Sequence, residues 1–257
     1  MGEPAKTDSV PATGGENNPV RGTLVICRHG ETDYNLQHLM TGTRDIPLNA
    51  AGEEQAREAG RVISVFHFDK AYSSTLSRAF NTAAMALEAS GTNDQLKKSD
   101  GSWDVEKRKE IIELDTGDFT GRNHKTDPEI IKFERHFEKP LPNGESDKQV
   151  VARVQKFYDE EILPRMAKGE TVLVVSHSGI MRAFDIVLGL RQAPKDHKGQ
   201  WTNKVRVPNA TPTVVEYEDG KLARHYRLDN TAVPAPANGN VTPPPAPPKN
   251  SCFKPAA

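Results

Sequence analysis

Two apolar runs in this sequence end in the same way, with a histidine and then, within two residues, a glycine. The first is TLVICRHG, residues 23–30, and the second is TVLVVSHSG, residues 171–179. Short runs rich in Val, Leu and Ile are typical of strands buried on both faces of a parallel sheet. Ligands bind at the carboxyl ends of such strands, and a glycine there allows the backbone to approach a ligand. If the two strands are neighbours, His29 and His177 face one pocket.

The rest of the central region alternates between helical and extended patterns. A third strand is predicted over residues 70–74, and a hairpin over 211–228 with its turn at Asp219-Gly220. Helices are predicted over residues 48–66 with Asn49 as N-cap, 76–90, 147–169 with a break at Pro164, and 179–190. This alternation predicts an α/β fold: a three-layer α/β/α sandwich around a mostly parallel central sheet with one antiparallel strand.

Two kinds of segment are predicted to lie outside this core. Residues 1–22 and 231–257 are rich in Pro, Gly, Ala and Asn, so we expect disordered tails on either side of one domain, residues 23–230. The charged stretch KSDGSWDVEKRKE, residues 98–110, is predicted to be a solvated connection in which Trp103 is a half-buried anchor.

Charge and cysteine content limit the possible partners and compartment. The 257 residues include 34 Lys and Arg against 35 Asp and Glu, so no general attraction to nucleic acid or to a membrane surface is expected. An anionic ligand would have to be held by local cations. Cys27 and Cys252 lie in very different contexts, which predicts no disulfide and fits a reducing compartment. With no signal peptide and no apolar run of ~20 residues, we expect a soluble cytoplasmic protein.

The polar residues around the two strand ends suit phosphoryl chemistry. Arg28 adjoins His29, and Arg78 starts the helix after the predicted third strand, where free backbone N–H groups also attract anions. A neutral imidazole can attack phosphorus while arginines neutralise the equatorial oxygens and His177 donates to them. Such a reaction needs an acid for the leaving oxygen. Glu113, after a short apolar run, is the candidate; a solvated surface carboxylate is the alternative.

Several motifs occur in the order and spacing of the histidine phosphatase superfamily, which includes the cofactor-dependent phosphoglycerate mutases. They are RHGETDYN, TGTRDIPLNAAGEEQA, YSSTLSRA, ELDTGDFTG, NGES and VVSHSGIMRA, and the resemblance spans residues 23–228. It implies that His29 is the phosphorylated nucleophile and that Glu113 is the proton donor and acceptor. It further implies that the phosphoryl group is held by Arg28, Arg78 and His177 with support from Asn35, that Thr41 and Gly42 contact the substrate, and that no metal is required.

The resemblance leaves open whether the phosphoryl group goes to water or back to a substrate. Mutases have a glycine and an asparagine where this chain has Ser178-Gly179, a tyrosine in place of Thr116, and a lysine that falls at His124, beside Lys125. Their paired arginines correspond to Glu134-Arg135, so one cation has become an anion. A carboxylate close to the second acidic group of a substrate repels that group and weakens its binding.

We therefore expect a phosphatase of a small phosphorylated metabolite, for which no cofactor is required, with Ser178, Lys125 and Arg135 as further substrate-binding residues. The alternative is a 2,3-bisphosphoglycerate-dependent phosphoglycerate mutase, which uses 2,3-bisphosphoglycerate as phosphodonor. A hypothesis of another class is an interaction protein. The tail segment PPPAPPK, residues 243–249, fits the PxxP pattern of SH3-type grooves, although a purely solvating tail is the simpler interpretation.

Overall fold

A six-stranded sheet in the order β3-β2-β4-β1-β5-β6 forms the centre of the molecule. The computed structural model describes residues 18–193 and 207–228. The strands are β1 Arg21–Arg28, β2 Lys70–Ser74, β3 Val105–Arg108, β4 Thr171–Ser176, β5 Thr213–Glu218 and β6 Lys221–Arg227. The helices are α1 Asp33–Leu36, α2 Ala50–Ile63, α3 Ser77–Ser90, α4 Pro128–Lys132, α5 Asp147–Phe157, α6 Leu163–Met166 and α7 Ser178–Val187.

The sheet is mostly parallel, as predicted. Strands β1 to β4 pair in parallel, and β5 pairs antiparallel with both β1 and β6, so β5 alone runs in the opposite direction. Strands β1 and β4 are neighbours, with Arg28 opposite Ser176. The two histidines that follow these strands therefore come to the same edge of the sheet. The predicted hairpin is also present, and its turn residues Asp219 and Gly220 both have positive φ, as a tight hairpin turn requires.

Apolar residues on both faces of the sheet create the three layers. Along β1, Leu24 and Ile26 contribute to one core cluster, and Val25 and Cys27 contribute to the other. Helices α2 and α3 cover the second face, and α5, α6 and α7 cover the first. Burial of the Cys27 thiol raises its pKa to about 12. Cys252, the Pro-rich tail segment and the rest of residues 231–257 lie outside the described residues, as do residues 1–17, while Arg21 and Gly22, predicted to be in a tail, belong to β1.

Most predicted helices are present with slightly different ends. Asn49 caps α2, since its side chain accepts a hydrogen bond from the Gly52 amide at 2.8 Å. The predicted helix over residues 147–169 is interrupted before Pro164 by a π-helical turn, Tyr158–Ile162, after which α6 begins. Proline cannot donate the usual backbone bond to the preceding turn, which accounts for the break.

The prediction of a solvated connection over residues 98–110 holds for residues 98–102, which are exposed, but is wrong for the part that follows. Four of these residues form the edge strand β3, with the Val105 side chain buried in the core. Its charged side chains are paired: Glu106 lies 2.7 Å from Lys70, and Arg108 lies 2.6 Å from Glu161. Charged residues are common on edge strands because they discourage pairing with other chains. Trp103 does anchor this segment, and it is buried.

Within the described residues, no helix is both long enough and apolar enough to cross a bilayer.

Candidate active site

His29 lies directly after β1 and is almost fully buried. Its Nδ1 lies 2.6 Å from the carbonyl oxygen of Gly30. Because a carbonyl oxygen can only accept, Nδ1 carries the proton and Nε2 keeps its lone pair. Burial lowers the pKa of His29 well below its usual value, and the nearby charges of Arg28 and Arg78 lower it further. The imidazole is therefore neutral at physiological pH, with a free nitrogen.

His177 follows β4 and lies against His29. The two ring centroids are 5.1 Å apart with an interplanar angle of 60°. Burial lowers the pKa of His177 well below its usual value, with Arg78 and His29 adding to the effect. In the described part of the chain, neither ring nitrogen of His177 has a hydrogen-bond partner. An unpaired buried imidazole is costly, so this position is suited to an anionic ligand that could accept from it.

Arg78, in the first turn of α3, is fully buried and is oriented by backbone carbonyls. Its Nη1 donates to Arg44 at 2.8 Å and its Nη2 to Gly42 at 3.1 Å. Its Nε has no partner among the described residues. Gly42 has a φ of +52°, and a Cβ there would lie 2.5 Å from the Thr116 hydroxyl oxygen. Glycine is therefore required at position 42 if the loop is to hold Arg78 in this way.

The start of α3 does not offer a free backbone N–H to a ligand at Ser77, contrary to our expectation. The carboxylate of Asp45 accepts hydrogen bonds from the Ser77 amide at 2.8 Å and from its hydroxyl at 2.7 Å. The Ser77 amide is therefore occupied within the protein, and the Arg78 side chain is the cation that α3 presents to the pocket.

A residue that sequence reasoning missed connects the nucleophile loop to the hairpin. The side-chain amide of Asn209 donates to the His29 carbonyl at 3.0 Å and to the Asn35 side-chain oxygen at 3.1 Å. Arg28 is held in the same region, because its Nη1 donates to the Val207 carbonyl at 2.8 Å. Asn209 is more than 170 residues from both of its partners in the sequence, so no local pattern could have revealed this role.

Glu113 is fixed by the beginning of α7. Its carboxylate accepts from the Gly179 amide at 3.1 Å, from the Leu114 amide at 2.9 Å and from the Ser178 hydroxyl at 3.4 Å. A Cβ at position 179 would lie 2.3 Å from a carboxylate oxygen of Glu113. Glu113 is thus a pocket residue and not a solvated surface carboxylate.

The glycines after the two histidines allow close packing within the protein. Because Gly179 has no side chain, the Glu113 carboxylate can lie against its backbone. A Cβ on Gly30 would lie 2.2 Å from the Gly52 carbonyl oxygen, so Gly30 allows the loop to pack closely on the start of α2. Both glycines therefore permit close packing within the protein, and neither is part of the pocket lining.

Arg182 is a second residue to which the sequence assigned no role. It lies one turn after Ser178 on α7, so the two side chains share a face of the helix, and both line the pocket. Burial lowers the pKa of Arg182, while the nearby Glu113 carboxylate acts in the opposite direction. The spacing of Ser178 and Arg182 after a strand-end histidine is the signal that could have identified it.

Most of the predicted site residues surround one pocket of about 430 Å³. Those that line it are Arg28, His29, Asn35, Thr41, Gly42, Arg78, Glu113, Arg135 and Ser178. His177 lies against His29 and is not itself part of the lining. No group of three or more His, Cys, Asp or Glu side chains suited to a metal ion was found among residues 18–193 and 207–228.

Two predicted features of the substrate end of the pocket need correction. Lys125 is not in the lining: its Nζ lies 2.9 Å from His38 Nε2, and its neighbour His124 lines the pocket instead. Glu134 does not line the pocket either, and its side chain is 76% exposed. It therefore places no carboxylate in the pocket lining.

Arg135 lines the pocket but is already paired. Its guanidinium binds the Asp147 carboxylate through two hydrogen bonds of 2.8 and 2.9 Å. A bidentate pair of this kind is strong and fixes both partners. Asp147, and not Glu134, is therefore the carboxylate that engages Arg135 at this pocket.

The pocket is surrounded by a neutral imidazole nitrogen, two arginines and a carboxylate, an arrangement suited to phosphoryl transfer. The sequence of the chain also matches a known family. Residues 24–229 match the model of the histidine phosphatase superfamily, branch 1. The chain belongs to this superfamily. A curated relative, a 2,3-bisphosphoglycerate-dependent phosphoglycerate mutase of Parvibaculum lavamentivorans, is 33% identical over 80% of this chain and 95% of its own length.

Two solved structures have the same fold. A phosphoglycerate mutase from Bacillus anthracis aligns with a TM-score of 0.64 and 26% identity, covering 84% of this chain and 97% of its own. A mycobacterial glucosyl-3-phosphoglycerate phosphatase aligns with a TM-score of 0.61 and 24% identity, covering 80% of this chain and 97% of its own. The predicted superfamily and α/β fold are confirmed, and the chain is an enzyme of the histidine phosphatase superfamily.

Proposed function

We propose that this enzyme is a metal-independent phosphomonoesterase that acts on a small phosphorylated metabolite through a phosphohistidine at His29. The observation that carries the proposal is the state of His29, a buried and neutral imidazole whose Nδ1 donates to the Gly30 carbonyl. Its Nε2 lone pair is therefore free, and a nitrogen in this state is a competent nucleophile.

In the first step, His29 Nε2 forms a bond to phosphorus as the ester P–O bond breaks. Arg28 and Arg78 neutralise the charge on the non-bridging oxygens, and the buried imidazole of His177 donates to one of them. The Glu113 carboxyl gives its proton to the leaving alkoxide.

In the second step, water attacks the phosphohistidine and the N–P bond breaks. The Glu113 carboxylate takes a proton from the water, and His29 returns to its neutral form. The sum of the two steps consumes one water and one ester, and it releases an alcohol and inorganic phosphate. The same carboxyl serves as acid in one step and as base in the other.

A phosphoglycerate mutase is the second candidate, and the name of the curated relative favours it. In a mutase, 2,3-bisphosphoglycerate supplies the phosphoryl group, and the intermediate must remain bound until it has turned over. The pairing of Arg135 with Asp147 supports hydrolysis instead. It occupies the Arg135 guanidinium, which could otherwise hold the second acidic group of a phosphoglycerate. The hydroxyl of Thr116 is also engaged within the protein, since it lies 2.6 Å from that of Thr120.

The experiment supplies purified protein with 3-phosphoglycerate and a trace of 2,3-bisphosphoglycerate, and measures inorganic phosphate and 2-phosphoglycerate in parallel. We expect phosphate to form faster, with an acid-labile phosphoryl label on the wild type and none on His29→Ala. Faster formation of 2-phosphoglycerate would identify the enzyme as a mutase. Absence of any label at His29 would overturn both candidates.

A further inference from the structure

We propose that the preferred substrates are phosphomonoesters whose alcohol portion is apolar, such as medium-length alkyl esters; this inference rests on the proposed function. It comes from the side of the pocket that the proposed chemistry does not use. That side, here called the apolar wall, consists of Leu39, Met40, Phe119, Ile130, Phe133 and Leu141.

The apolar wall is a rigid part of the fold. Phe119 and Leu141 belong to the main hydrophobic core, and Met40, Ile130 and Phe133 are half-buried against it. The Phe119 and Phe133 rings pack edge to face with centroids 5.3 Å apart. A preformed apolar surface of this kind loses little entropy when a ligand binds.

The charged groups around the apolar wall are poorly placed to bind a second acidic group of a substrate. The guanidinium of Arg122 is paired with the Asp127 carboxylate through two bonds of 2.8 Å, and Arg135 is paired in the same way with Asp147. Partial burial lowers the pKa of His124, and the nearby His38 and Lys125 lower it further, so His124 is neutral. A carboxylate placed here would lose water without gaining a free cation.

Arg182 lines the pocket from α7, in the surroundings of the Glu113 and Asp147 carboxylates, and no residue of the apolar wall belongs to that helix. The cationic half of the pocket therefore surrounds the transferred phosphoryl group and the Glu113 carboxyl. The apolar half is left for the remainder of the substrate, and at about 430 Å³ the whole pocket falls in the range of sites for small organic ligands, about 300–1,000 Å³.

The test compares ethyl, butyl and hexyl phosphate, whose leaving groups are chemically similar. We expect kcat/KM to rise about fourfold for each added methylene until the wall is covered, the factor that corresponds to about 0.8 kcal/mol per methylene. Glycerol phosphate and 3-phosphoglycerate, which are polar, should be turned over more slowly than hexyl phosphate.

Two adjacent residues of α4 provide a matched pair of variants. Ile130 lines the pocket, whereas Ile131 is 60% exposed and is not part of the lining. We expect Ile130→Gln to reduce the gain in kcat/KM from ethyl to hexyl phosphate by at least fivefold. Ile131→Gln makes the same chemical change on the same helix and should leave the whole series unchanged.

Calorimetric binding of ethyl-, butyl- and hexylphosphonate, which cannot be hydrolysed, separates this inference from the proposed function. Affinity that rises with chain length supports the apolar wall as a recognition surface, even if His29 is never phosphorylated and the proposed function fails. Affinity that is flat with chain length, together with faster hydrolysis of 3-phosphoglycerate than of hexyl phosphate, overturns the inference while leaving the phosphatase proposal intact.

Discussion

At the scale of single residues, the catalytic proposal depends on how one carboxylate is held. Glu113 is fixed by the backbone amides of Leu114 and Gly179. Its orientation is therefore set by main-chain groups and does not depend on flexible side chains. A group held in this way can serve as acid and base in one cycle without moving.

We predict that Glu113→Gln lowers kcat strongly for alkyl phosphates and only mildly for p-nitrophenyl phosphate. A poor leaving group needs a proton and a good one does not, so the two losses should differ by roughly 10²-fold. Steady-state kinetics on both substrates measures the difference. Equal losses would mean that Glu113 binds substrate or supports the fold without donating a proton.

We predict that Gly179→Ala reproduces the leaving-group pattern of Glu113→Gln, because the added methyl group would lie 2.3 Å from the Glu113 carboxylate oxygen and must displace it. Alanine otherwise favours a helix over glycine, so α7 itself should tolerate the change. The measurement is the ratio of p-nitrophenyl phosphate to alkyl phosphate turnover, with the midpoint of urea unfolding as a control. A uniform loss on both substrates at lowered stability would contradict the prediction.

At the scale of secondary-structure elements, the sequence predicted what apolar patterns determine. Strands β1 and β4 were evident as β-branched runs, and their parallel pairing places His29 and His177 side by side. Strand β3 was missed because only Val105 of its four residues is buried, while its charged residues form ion pairs that no local pattern reveals. The charged residues of β3 therefore gave no strand pattern in the sequence. Its pairing with β2 depends on residues that are distant in the chain.

Asp147, the first residue of α5, pairs with Arg135, which lines the pocket. We predict that Asp147→Asn frees Arg135 and raises the ratio of 2-phosphoglycerate to inorganic phosphate formed from 3-phosphoglycerate with a trace of 2,3-bisphosphoglycerate. Weakening an ion pair releases the guanidinium for a substrate carboxylate. We expect a change of about 3- to 10-fold in the ratio, since a hydrogen bond to a charged group contributes about 1.5–3 kcal/mol at most and asparagine retains part of the contact.

The double variant Asp147→Asn with Arg135→Gln is the control for that experiment. It removes the released cation and should return the ratio to the wild-type value. If the single variant leaves the ratio unchanged, or if the double variant keeps the increase, Arg135 is not the group whose pairing limits transfer.

At the scale of the whole molecule, the site joins segments that are far apart in the sequence. The loop after β1, the start of α3, the segment before Glu113, the beginning of α7 and the segment before β5 all meet at one edge of the sheet. The motifs identified the first four, because each carries a reactive residue type next to a strand or helix end. The fifth, with Asn209, and the pairing of Arg135 with Asp147 are products of tertiary packing, which sequence periodicity does not determine.

The same packing buries two neutral histidines, which predicts how stability depends on pH. The folded-state pKa values of His29 and His177 are both lowered by burial and by nearby arginines, whereas in the unfolded chain each titrates near about 6.5. As the pH falls through that value, the unfolded chain takes up protons that the folded protein does not. The folded state therefore loses stability, by up to about 1.4 kcal/mol per pH unit for each histidine.

We predict that the free energy of unfolding falls between pH 7 and pH 5.5, measured from urea unfolding midpoints. This window lies above the usual carboxylate range, so the loss reports on histidines. The variant His29→Asn with His177→Asn lacks both groups, and its free energy should fall less steeply over the same interval, whatever its absolute stability. Equal slopes for the two proteins would show that the buried pair takes up protons in the folded state, and that the neutral nucleophile on which the mechanism depends is not its resting form.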